Sequence, residues 1–384
     1  MKESWLVSTL KVRASYGSTG NVSFPANMAT TTYQMDNDSW YFTGPAAGLA
    51  ALGNPRLTWE KTNTIDVGFN AGFLEDNVYL SFAYYNKKTN NLIDQLHIRH
   101  SSGFDTYSIN AGGIRNEGIE LNLNATVFRD EDWMVTLNGN LAHNKNTITE
   151  LGEEAQLYNE SILSEWENAQ NSEYREVLSA PVIQYYEGAS KSAIYAVRSA
   201  GIDPANGRER FIKKNGMSTY TWDANDQVVV GDNNPDAQGS FGFNVAWKGF
   251  YLNTTFLYQW GGQAYNETLV QKVENVDISN SNVDRRVLTE RWRKPGDRTP
   301  FYALDANTAT QVTSRFVQDN NYVNFSGLSL GYDFSTSLIS KWRLRTLGIR
   351  FNMNDICRWS TIKEERGLSY PFSRNFSFTV SIGI

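Results

Sequence analysis

The chain has 384 residues, and its 35 lysines and arginines against 41 aspartates and glutamates give a net charge of −6. A mildly acidic chain argues against a nucleic-acid-binding surface, and an aromatic content of 13% excludes a disordered chain. No segment approaches the roughly 20 apolar residues of a membrane-spanning helix. A membrane β-barrel remains open, because only every second residue of its strands faces lipid.

The dominant pattern is an alternation of apolar and polar residues in segments of about ten, the length of a tilted membrane-spanning strand. In the first segment, Leu10, Val12 and Ala14 alternate with Lys11 and Arg13. The segments lie at residues 10–16, 64–73, 78–85, 119–127, 133–141, 241–247, 250–260, 328–334, 347–353 and 376–384. The pattern predicts an all-β protein.

Short and long connections alternate between these segments. The short connections lie at residues 74–77, 129–132, 248–249 and 335–342. The long polar connections lie at residues 18–59, 89–115, 146–239, 261–320 and 357–372. Outer-membrane barrels have short periplasmic turns and long extracellular loops, whereas a soluble sandwich has no reason to sort its loops by length. We therefore predict an antiparallel transmembrane β-barrel segment.

The strand count depends on residues 190–215, which contain two short apolar runs. If the first strand runs outward and the last strand runs inward, the number of strands must be even. This region therefore contributes two barrel strands or none, and the prediction is about 10–12 strands.

Aromatic residues are concentrated at the ends of the predicted strands. Beside the short turns lie Phe73, Trp133, Trp247, Phe250, Phe334, Trp342 and Phe372. At the opposite strand ends lie Tyr16, Trp59, Tyr84, Tyr258 and Trp260. Two such rings are typical of the interfaces of a lipid-embedded barrel. In the alternative, a sandwich core, aromatic residues would lie in the middle of strands.

The charged residues of the strands are expected to face a water-filled lumen, because a charge on the lipid face costs roughly 2–4 kcal/mol at the membrane midplane. The predicted lumen-facing polar residues are Lys11, Arg13, Asp66, Glu120 and Arg350. The predicted lipid-facing residues include Val67, Leu121, Val245 and Ile349.

The sequence contains no motif that indicates catalysis, a cofactor or a metal. Cys357 is the only cysteine, which excludes an internal disulfide and a cysteine-based zinc site, and P-loop and G-x-S-x-G motifs do not occur. The Asp/Asn-rich residues 223–236 lack the ligand spacing of a calcium loop, which favours a turn. We expect a protein that is not an enzyme and has no catalytic, cofactor or metal site.

Aromatic residues in the long connections are the candidates for ligand contact, because sugar rings stack on aromatic faces. These residues are Trp40, Tyr41, Phe42, Tyr158, Trp166, Tyr185 and Tyr186. The alternative is that each of them packs within the loops.

Several segments together resemble the SusC/RagA-type TonB-linked outer-membrane transporters, and they follow in that family's order. The resembling segments are LKVRASYGSTGN (10–21), the hairpin at 53–93, NAGGIRNEGIELNLNA (110–125), YAVRSAGIDPANGRERF (195–211), FGFNVAWKGFYLNTTFLYQWGG (241–262) and NYVNFSGLSLGYDF (321–334).

This resemblance implies that residues 1–384 form the C-terminal part of a 22-stranded barrel in the bacterial outer membrane. It further implies import of a bulky nutrient, a glycan or an oligopeptide, with a SusD-like lipoprotein as a lid. The TonB complex would act through an N-terminal part that the chain lacks, and we expect no plug domain, signal peptide or TonB box within it. The alternative is a soluble all-β carbohydrate-binding or hydrolytic domain.

Overall fold

Ten antiparallel strands form one continuous sheet, here called the wall, in which each strand pairs with its neighbours in chain order. The computed structural model describes residues 7–21, 28–42, 44–98, 103–104, 106–169, 179–276, 283–304, 310–363 and 373–384. The wall strands are β1 (Val7–Asn21), β4 (Glu60–Phe73), β5 (Val78–His97), β6 (Thr106–Arg129), β7 (Trp133–Leu151), β12 (Ala237–Trp247), β13 (Phe250–Trp260), β16 (Tyr322–Asp333), β17 (Thr346–Ser360) and β18 (Phe376–Gly383). The predicted all-β antiparallel sheet is confirmed, and each predicted strand is present.

Tight turns join the wall strands at one end of the sheet, here called the turn end. Residues 74–77 join β4 to β5, and residues 130–132 join β6 to β7. Lys248 and Gly249 join β12 to β13 with φ angles of 46° and 89°. Left-handed φ at both central residues matches the twist of a two-residue hairpin, which explains a glycine at the second position.

The connection between β16 and β17 is longer and partly helical. It contains α4 (Thr336–Ile339) and a 3-10 turn at Ser340–Trp342. Ile339 is buried against the sheet at 1% exposure, and Arg343 ends the helical turn with a left-handed φ of 58°. This connection is therefore fixed to the turn end of the wall.

The strands β5, β6 and β7 are much longer than a membrane span, with 20, 24 and 19 residues. At about 3.3 Å per residue, β6 is about 80 Å long, whereas the apolar band of a barrel is about 25 Å tall with strands tilted by about 35–45°. The prediction of a polar loop over residues 89–115 is therefore wrong for most of that range. Pairing of β5 with β6 continues as far as His97 and Thr106, so the ladder satisfies the backbone even where the side chains are polar.

A second unit, here called the loop-end domain, lies at the end of the wall opposite the turns. It contains α1 (Glu153–Ala169) and a four-stranded sheet with the order β10-β9-β8-β11. These strands are β8 (Ala193–Ile202), β9 (Glu209–Ile212), β10 (Ser218–Thr219) and β11 (Gln227–Asp232). Residues 190–215 therefore add no strand to the wall, and the described part of the chain contains ten wall strands.

Smaller elements complete the loop end. The strands β2 (Thr32–Tyr41) and β3 (Gly44–Ala51) form a hairpin, and β14 (Gln263–Tyr265) pairs with β15 (Val317–Asp319). The short helices are α2 (Glu267–Leu269), a π-helical turn at Val270–Glu274, α3 (Arg286–Thr289) and 3-10 turns at Ala224–Asp226 and Ser314–Phe316. None of the described helices has the length and apolarity needed to cross a membrane.

The main hydrophobic core lies at the junction of the wall and the loop-end domain. Leu96, Ile109 and Ile148 at the outer ends of β5–β7 pack with Ile162 of α1 and Val197 of β8. A second cluster, around α2 and α3, contains Val270, Val273, Val287, Phe301 and Phe316 among others. The outer ends of the wall strands are therefore part of the core of the loop-end domain.

Candidate functional site

Strand register places the charged residues of the wall on one face, here called the polar face. Arg13 lies opposite Gly68, Gly68 opposite Ala83, and Ala83 opposite Glu120. Cross-strand partners project to the same side of a sheet, so Arg13 and Glu120 share a face. Following the register through β7, β12, β13 and β16 places Arg350 on this face as well.

Polar side chains of neighbouring strands contact each other on this face. The Arg13 Nε atom lies 3.6 Å from the Asp66 carboxylate, and Arg13 Nη1 donates a hydrogen bond of 2.7 Å to Asn70 Oδ1. Ser81 also donates to Asn70 Oδ1, at 3.0 Å, and Lys11 lies opposite Asn70 in the β1–β4 register. Arg13 and Asp66 therefore belong to a group of contacting polar side chains on this face; that this face lines a lumen stays a prediction.

Near the turn end, the polar face carries three open cavities of about 570, 360 and 340 Å³, and Tyr251 and Asp333 line all three. Arg350 Nε donates a hydrogen bond of 2.7 Å to Tyr251 Oη, and the Tyr251 ring lies over Gly331, where a Cβ atom would overlap it. Glycine is needed at position 331 because the aromatic ring occupies that space. The arrangement offers hydrogen-bonding groups and a ring face to a polar ligand.

The opposite face of the wall, here called the apolar face, is exposed. Val12 is 70% exposed, Val67 45% and Ile349 42%. The register places Leu121 and Val245 on this same face. Apolar residues in the core of a sandwich would be buried, so these exposures argue against sandwich packing. A contiguous exposed apolar surface marks a membrane or partner contact.

A row of contacting aromatic rings crosses four wall strands at the turn end. Ring centroids are 5.2 Å apart for Trp133–Trp247, 5.8 Å for Trp247–Phe250, 4.3 Å for Phe250–Tyr332 and 4.8 Å for Tyr332–Phe334. Four residues of the ring predicted beside the short turns lie in this row. Phe372, predicted in the same ring, lies outside the described residues.

Three of the predicted ligand-contact aromatics are exposed at the loop end. Trp40 at 73% and Phe42 at full exposure lie at the tip of the β2–β3 hairpin, and Tyr186 is 40% exposed beside the loop-end domain. The backbone of Tyr41 belongs to β2, while its side chain lies outside the described residues. Trp40 and Phe42 could therefore offer ring faces to a ligand.

The other three predicted aromatics are core residues of the loop-end domain. Tyr158, Trp166 and Tyr185 are 8%, 1% and 3% exposed. The ring of Tyr158 lies 6.0 Å from that of Tyr185, and the ring of Trp166 lies 5.6 Å from that of Trp222. Their packing matches the alternative considered for loop aromatics, and ligand contact at these positions stays a prediction.

A signal for this packing was present in the sequence. Ala155, Tyr158, Ile162 and Trp166 recur at intervals of three or four residues, which is the spacing of one face of an α-helix. All four are buried on α1, where they contribute to the main core. A search for alternation with a period of two does not detect this spacing, and the surrounding polar residues favour a loop.

Tyr185 also takes part in a polar contact between the loop-end domain and β5 of the wall. Its hydroxyl donates a hydrogen bond of 2.8 Å to Asp94 Oδ2, and Lys191 Nζ lies 2.7 Å from the same oxygen. Burial, and then the charge of Asp94, raises the pKa of Tyr185 above its usual range, so the phenol stays a donor. The contact joins β5 to the loop-end domain.

The structure also contains a buried charge cluster that the sequence did not indicate. Arg315 bonds both oxygens of Glu274 at 2.6 and 2.7 Å, and its Nη2 atom donates to Glu209 Oε2 at 2.9 Å. Tyr302 Oη donates to that Glu209 oxygen at 2.8 Å. The side chain of Arg315 is 8% exposed and those of both glutamates 1%. The cluster joins residues that are 41 and 106 positions apart in the sequence.

A second arginine fixes the same region through backbone oxygens. Arg291 donates to the carbonyls of Val273, Glu274, Tyr302 and Ala303 at 2.7–3.1 Å. With all these carbonyls bonded, the segments around 273 and 302 are held at a fixed separation.

The environment of this charge cluster keeps Arg315 charged and Tyr302 protonated. Burial by itself would lower the pKa of Arg315, but the charges of Glu274 and Glu209 outweigh it and raise the pKa, so the guanidinium stays charged. Burial, followed by the charge of Glu209, raises the pKa of Tyr302. Tyr302 is therefore a permanent donor to Glu209, and the cluster is a structural clamp on the residues between β14 and β15.

Among the described residues, no three His, Cys, Asp or Glu side chains lie close enough together to hold a metal ion. In the Asp/Asn-rich segment, Asp223 caps a 3-10 turn by accepting from the Asn225 amide, and Asp232 accepts from the Asn234 amide. These are the local contacts of turns.

Comparison with known proteins places this fold. Residues 4–170 match the family model described as TonB dependent receptor-like, beta-barrel. This segment is therefore similar to the β-barrel of TonB-dependent receptors. Over 357 residues the chain is 27% identical to TonB-dependent receptor P3 of Formosa agariphila, an alignment that covers 90% of this chain and 34% of that receptor. Over 367 residues it is 22% identical to TonB-dependent receptor SusC of Bacteroides thetaiotaomicron, covering 90% of this chain and 33% of SusC.

The fold of the chain also matches part of a solved structure. The RagAB peptide transporter structure matches with a TM-score of 0.74 and 20% identity, over 94% of this chain and 38% of that chain. The chain spans about a third of the length of the curated receptors it matches. The resemblance to the SusC/RagA-type transporters is thus confirmed for the barrel wall.

Proposed function

We propose that this chain supplies ten wall strands and the loop-end domain of a TonB-dependent outer-membrane importer of bulky nutrients, either glycans or oligopeptides. One observation carries the proposal: the wall has an exposed apolar face and, on its other side, a polar face whose side chains contact each other. Such a sheet suits a barrel with lipid outside and water inside. Relatives named as SusC and as a peptide transporter support import as the activity.

In this proposal, the turn end faces the periplasm and the loop end faces the outside. Short turns on the periplasmic side and long outer connections are the usual arrangement of bacterial outer-membrane barrels. The row from Trp133 to Phe334 would then lie at the inner interface, where aromatic residues are enriched. The loop-end domain would stand above the outer leaflet, where cargo arrives.

The proposed partners follow from the same orientation. A SusD-like lipoprotein would cover the loop end and present cargo to the exposed ring faces of Trp40 and Phe42. The TonB complex would act through the N-terminal portion of the receptor, which would also supply a plug. The polar face would line the path of the cargo, and this chain would carry out no chemical step.

The alternative function, a soluble all-β carbohydrate-binding or hydrolytic domain, fits the structure less well. Such a domain buries the apolar faces of its strands against a second layer. In the described wall strands, Val12, Val67 and Ile349 keep from 42% to 70% of their surface exposed.

The test is uptake by the native host. Cells that lack the gene, and the same cells with the gene restored, are supplied with radiolabelled oligosaccharides and oligopeptides at low concentration. We expect one cargo class to depend on the gene and the protein to separate with the outer-membrane fraction. Unchanged uptake of both classes would contradict import, and recovery in the soluble fraction would contradict the membrane assignment.

A further inference from the structure

Residues 334–345, here called the basic segment, differ in charge from the other connections of the turn end. The segment contains three cations and no acidic residue. Residues 74–77 and 130–132 together contain five acidic residues and no basic one. Lys248, in the remaining turn, lies 3.0 Å from Asp132 and is therefore already paired.

The three cations of the basic segment are available to a partner. Lys341, Arg343 and Arg345 are all exposed. Among the described residues, none of the three lies within ion-pair distance of a carboxylate. An uncompensated group of three cations attracts a polyanion or an anionic surface.

Two large apolar side chains project from the same segment. Leu338 is 51% exposed and Trp342 is 65% exposed. Leu338 lies in α4, and Trp342 ends the 3-10 turn that follows it. Ile339, at 1% exposure, anchors the opposite side of the turn to the wall. The segment is therefore amphipathic, with apolar side chains and cations both directed away from the protein core.

The basic segment continues the aromatic row of the turn end. Phe334, its first residue, has its ring 4.8 Å from that of Tyr332, the preceding member of the row. The Phe334 amide donates to Leu347 O at 2.9 Å, and the Arg345 amide donates to Gly383 O at 2.8 Å. Both ends of the segment are thus hydrogen-bonded to the wall just beyond the row.

We propose that the basic segment is a binding site for anionic phospholipid in the leaflet at the turn end. Leu338 and Trp342 would enter the acyl–headgroup boundary, and Lys341, Arg343 and Arg345 would bind headgroup phosphates. Aromatic and basic side chains beside an apolar band are the groups that anchor proteins at such boundaries. The inference rests on the proposed membrane placement of the wall, and it adds a lipid that the import function does not require.

The test uses the protein produced from its own gene and extracted from its host membrane in dodecyl maltoside. Native mass spectrometry counts bound phosphatidylglycerol during a titration, with phosphatidylethanolamine of the same acyl chains as the zwitterionic comparison. A Lys or Arg near an anionic surface contributes on the order of fivefold in affinity. For the triple variant Lys341→Gln, Arg343→Gln, Arg345→Gln, we expect phosphatidylglycerol affinity to fall about tenfold or more, with little change for phosphatidylethanolamine.

Two matched variants control for net charge and for folding. The variant Arg210→Gln, Lys213→Gln, Lys214→Gln removes three cations from the loop-end domain and should keep the phosphatidylglycerol preference. Trp342→Ala keeps the cations. It should weaken the binding of both lipids by a similar factor, because the contact of Trp342 with lipid does not depend on headgroup charge.

Equal phosphatidylglycerol binding by the wild type and the basic-segment variant would overturn the proposal. The proposal would also be overturned if a photo-crosslinking residue at position 342 captured a protein of defined mass in cells and no lipid. Failure of the import proposal would instead appear as unchanged uptake in gene-deleted cells or as protein absent from the outer-membrane fraction. The two failures are therefore distinguishable.

Discussion

Arg315 joins three separate segments at the loop end. It bonds Glu274 through two nitrogens and Glu209 through one, and all three side chains are buried. The cluster links β9, the π-helical turn and the 3-10 turn before β15. The pairing compensates the burial of three charges, so removing one partner should cost more than removing all of them.

Replacing Arg315 with Leu should therefore destabilise this region by about 3–5 kcal/mol, because two buried carboxylates lose their counter-charge. Hydrogen exchange of the amides in residues 267–274, measured on the detergent-solubilised protein, reports the local free energy of unfolding. The triple variant Glu209→Gln, Glu274→Gln, Arg315→Leu should recover part of the loss. A change within about 0.5 kcal/mol for Arg315→Leu alone would show that the cluster is dispensable.

Two aromatic residues of the β2–β3 hairpin give a second prediction at this scale. Replacing Trp40 and Tyr41 together with Ala should weaken uptake while leaving barrel assembly intact, since both residues belong to the β2–β3 hairpin and not to the wall. Asp66→Ala, on the polar face, should affect cargo capture less. Radiolabelled uptake is measured beside a surface-folding assay for both variants. Normal uptake in the aromatic variant together with a loss in Asp66→Ala would move recognition from the loop end to the polar face.

At the scale of the strand, the two faces of β6 should respond differently to the same charge. Leu123→Arg places a guanidinium on the apolar face, where it costs roughly 2–4 kcal/mol at the membrane midplane and less towards the interfaces. Asn122→Arg places the same guanidinium on the polar face, at the neighbouring residue of β6. Heat-modifiable mobility of outer-membrane fractions measures assembly for both. We expect a loss for Leu123→Arg only; equal assembly of the two variants would argue that the apolar face does not contact lipid.

The strands also show which features the alternation of apolar and polar residues can and cannot predict. A period of two identified all ten wall strands, because one face of each strand must be apolar and the other polar. It missed the outer halves of β5 and β6, where pairing continues although residues 86–91 are mostly polar. It also missed α1, whose apolar residues follow a helical period within a polar background.

No local sequence pattern predicts the contacts between distant segments. Glu209, Glu274 and Arg315 are ordinary charged residues in the sequence, and only the fold places them together. Conversely, the sequence predicts the same role, ligand contact, for aromatic residues that differ in burial. Trp40 and Phe42 are exposed, whereas Tyr158, Trp166 and Tyr185 are buried. Residue type alone does not distinguish a ring that packs from a ring that is exposed.

At the scale of the whole molecule, the wall has two edges. Within the described residues, β1 pairs only with β4, and β18 pairs only with β17. An unpaired backbone group in hydrocarbon costs several kcal/mol, so an open sheet is not stable there. Additional strands must therefore cover both edges when the wall is in a membrane.

The 384-residue chain by itself should accordingly not form a conducting pore. Expressed alone and purified in detergent, it should give no channel currents in planar lipid bilayers, and without detergent it should aggregate. A full-length TonB-dependent receptor, prepared in the same way, is the positive control for correct folding. A monodisperse, heat-modifiable and conducting species from the 384-residue chain would show that ten strands can close into a barrel.

The continuity of β5–β7 from the wall into the main core has a consequence for the order of assembly. Leu96, Ile109 and Ile148 belong to the wall strands β5, β6 and β7 and also to the main core, which includes residues of α1. The loop-end domain therefore lacks part of its own interior until these strands have paired. In the proposed outer-membrane placement, it would reach the cell surface unfolded and would complete its folding there on the inserted strands, without ATP or cytoplasmic chaperones.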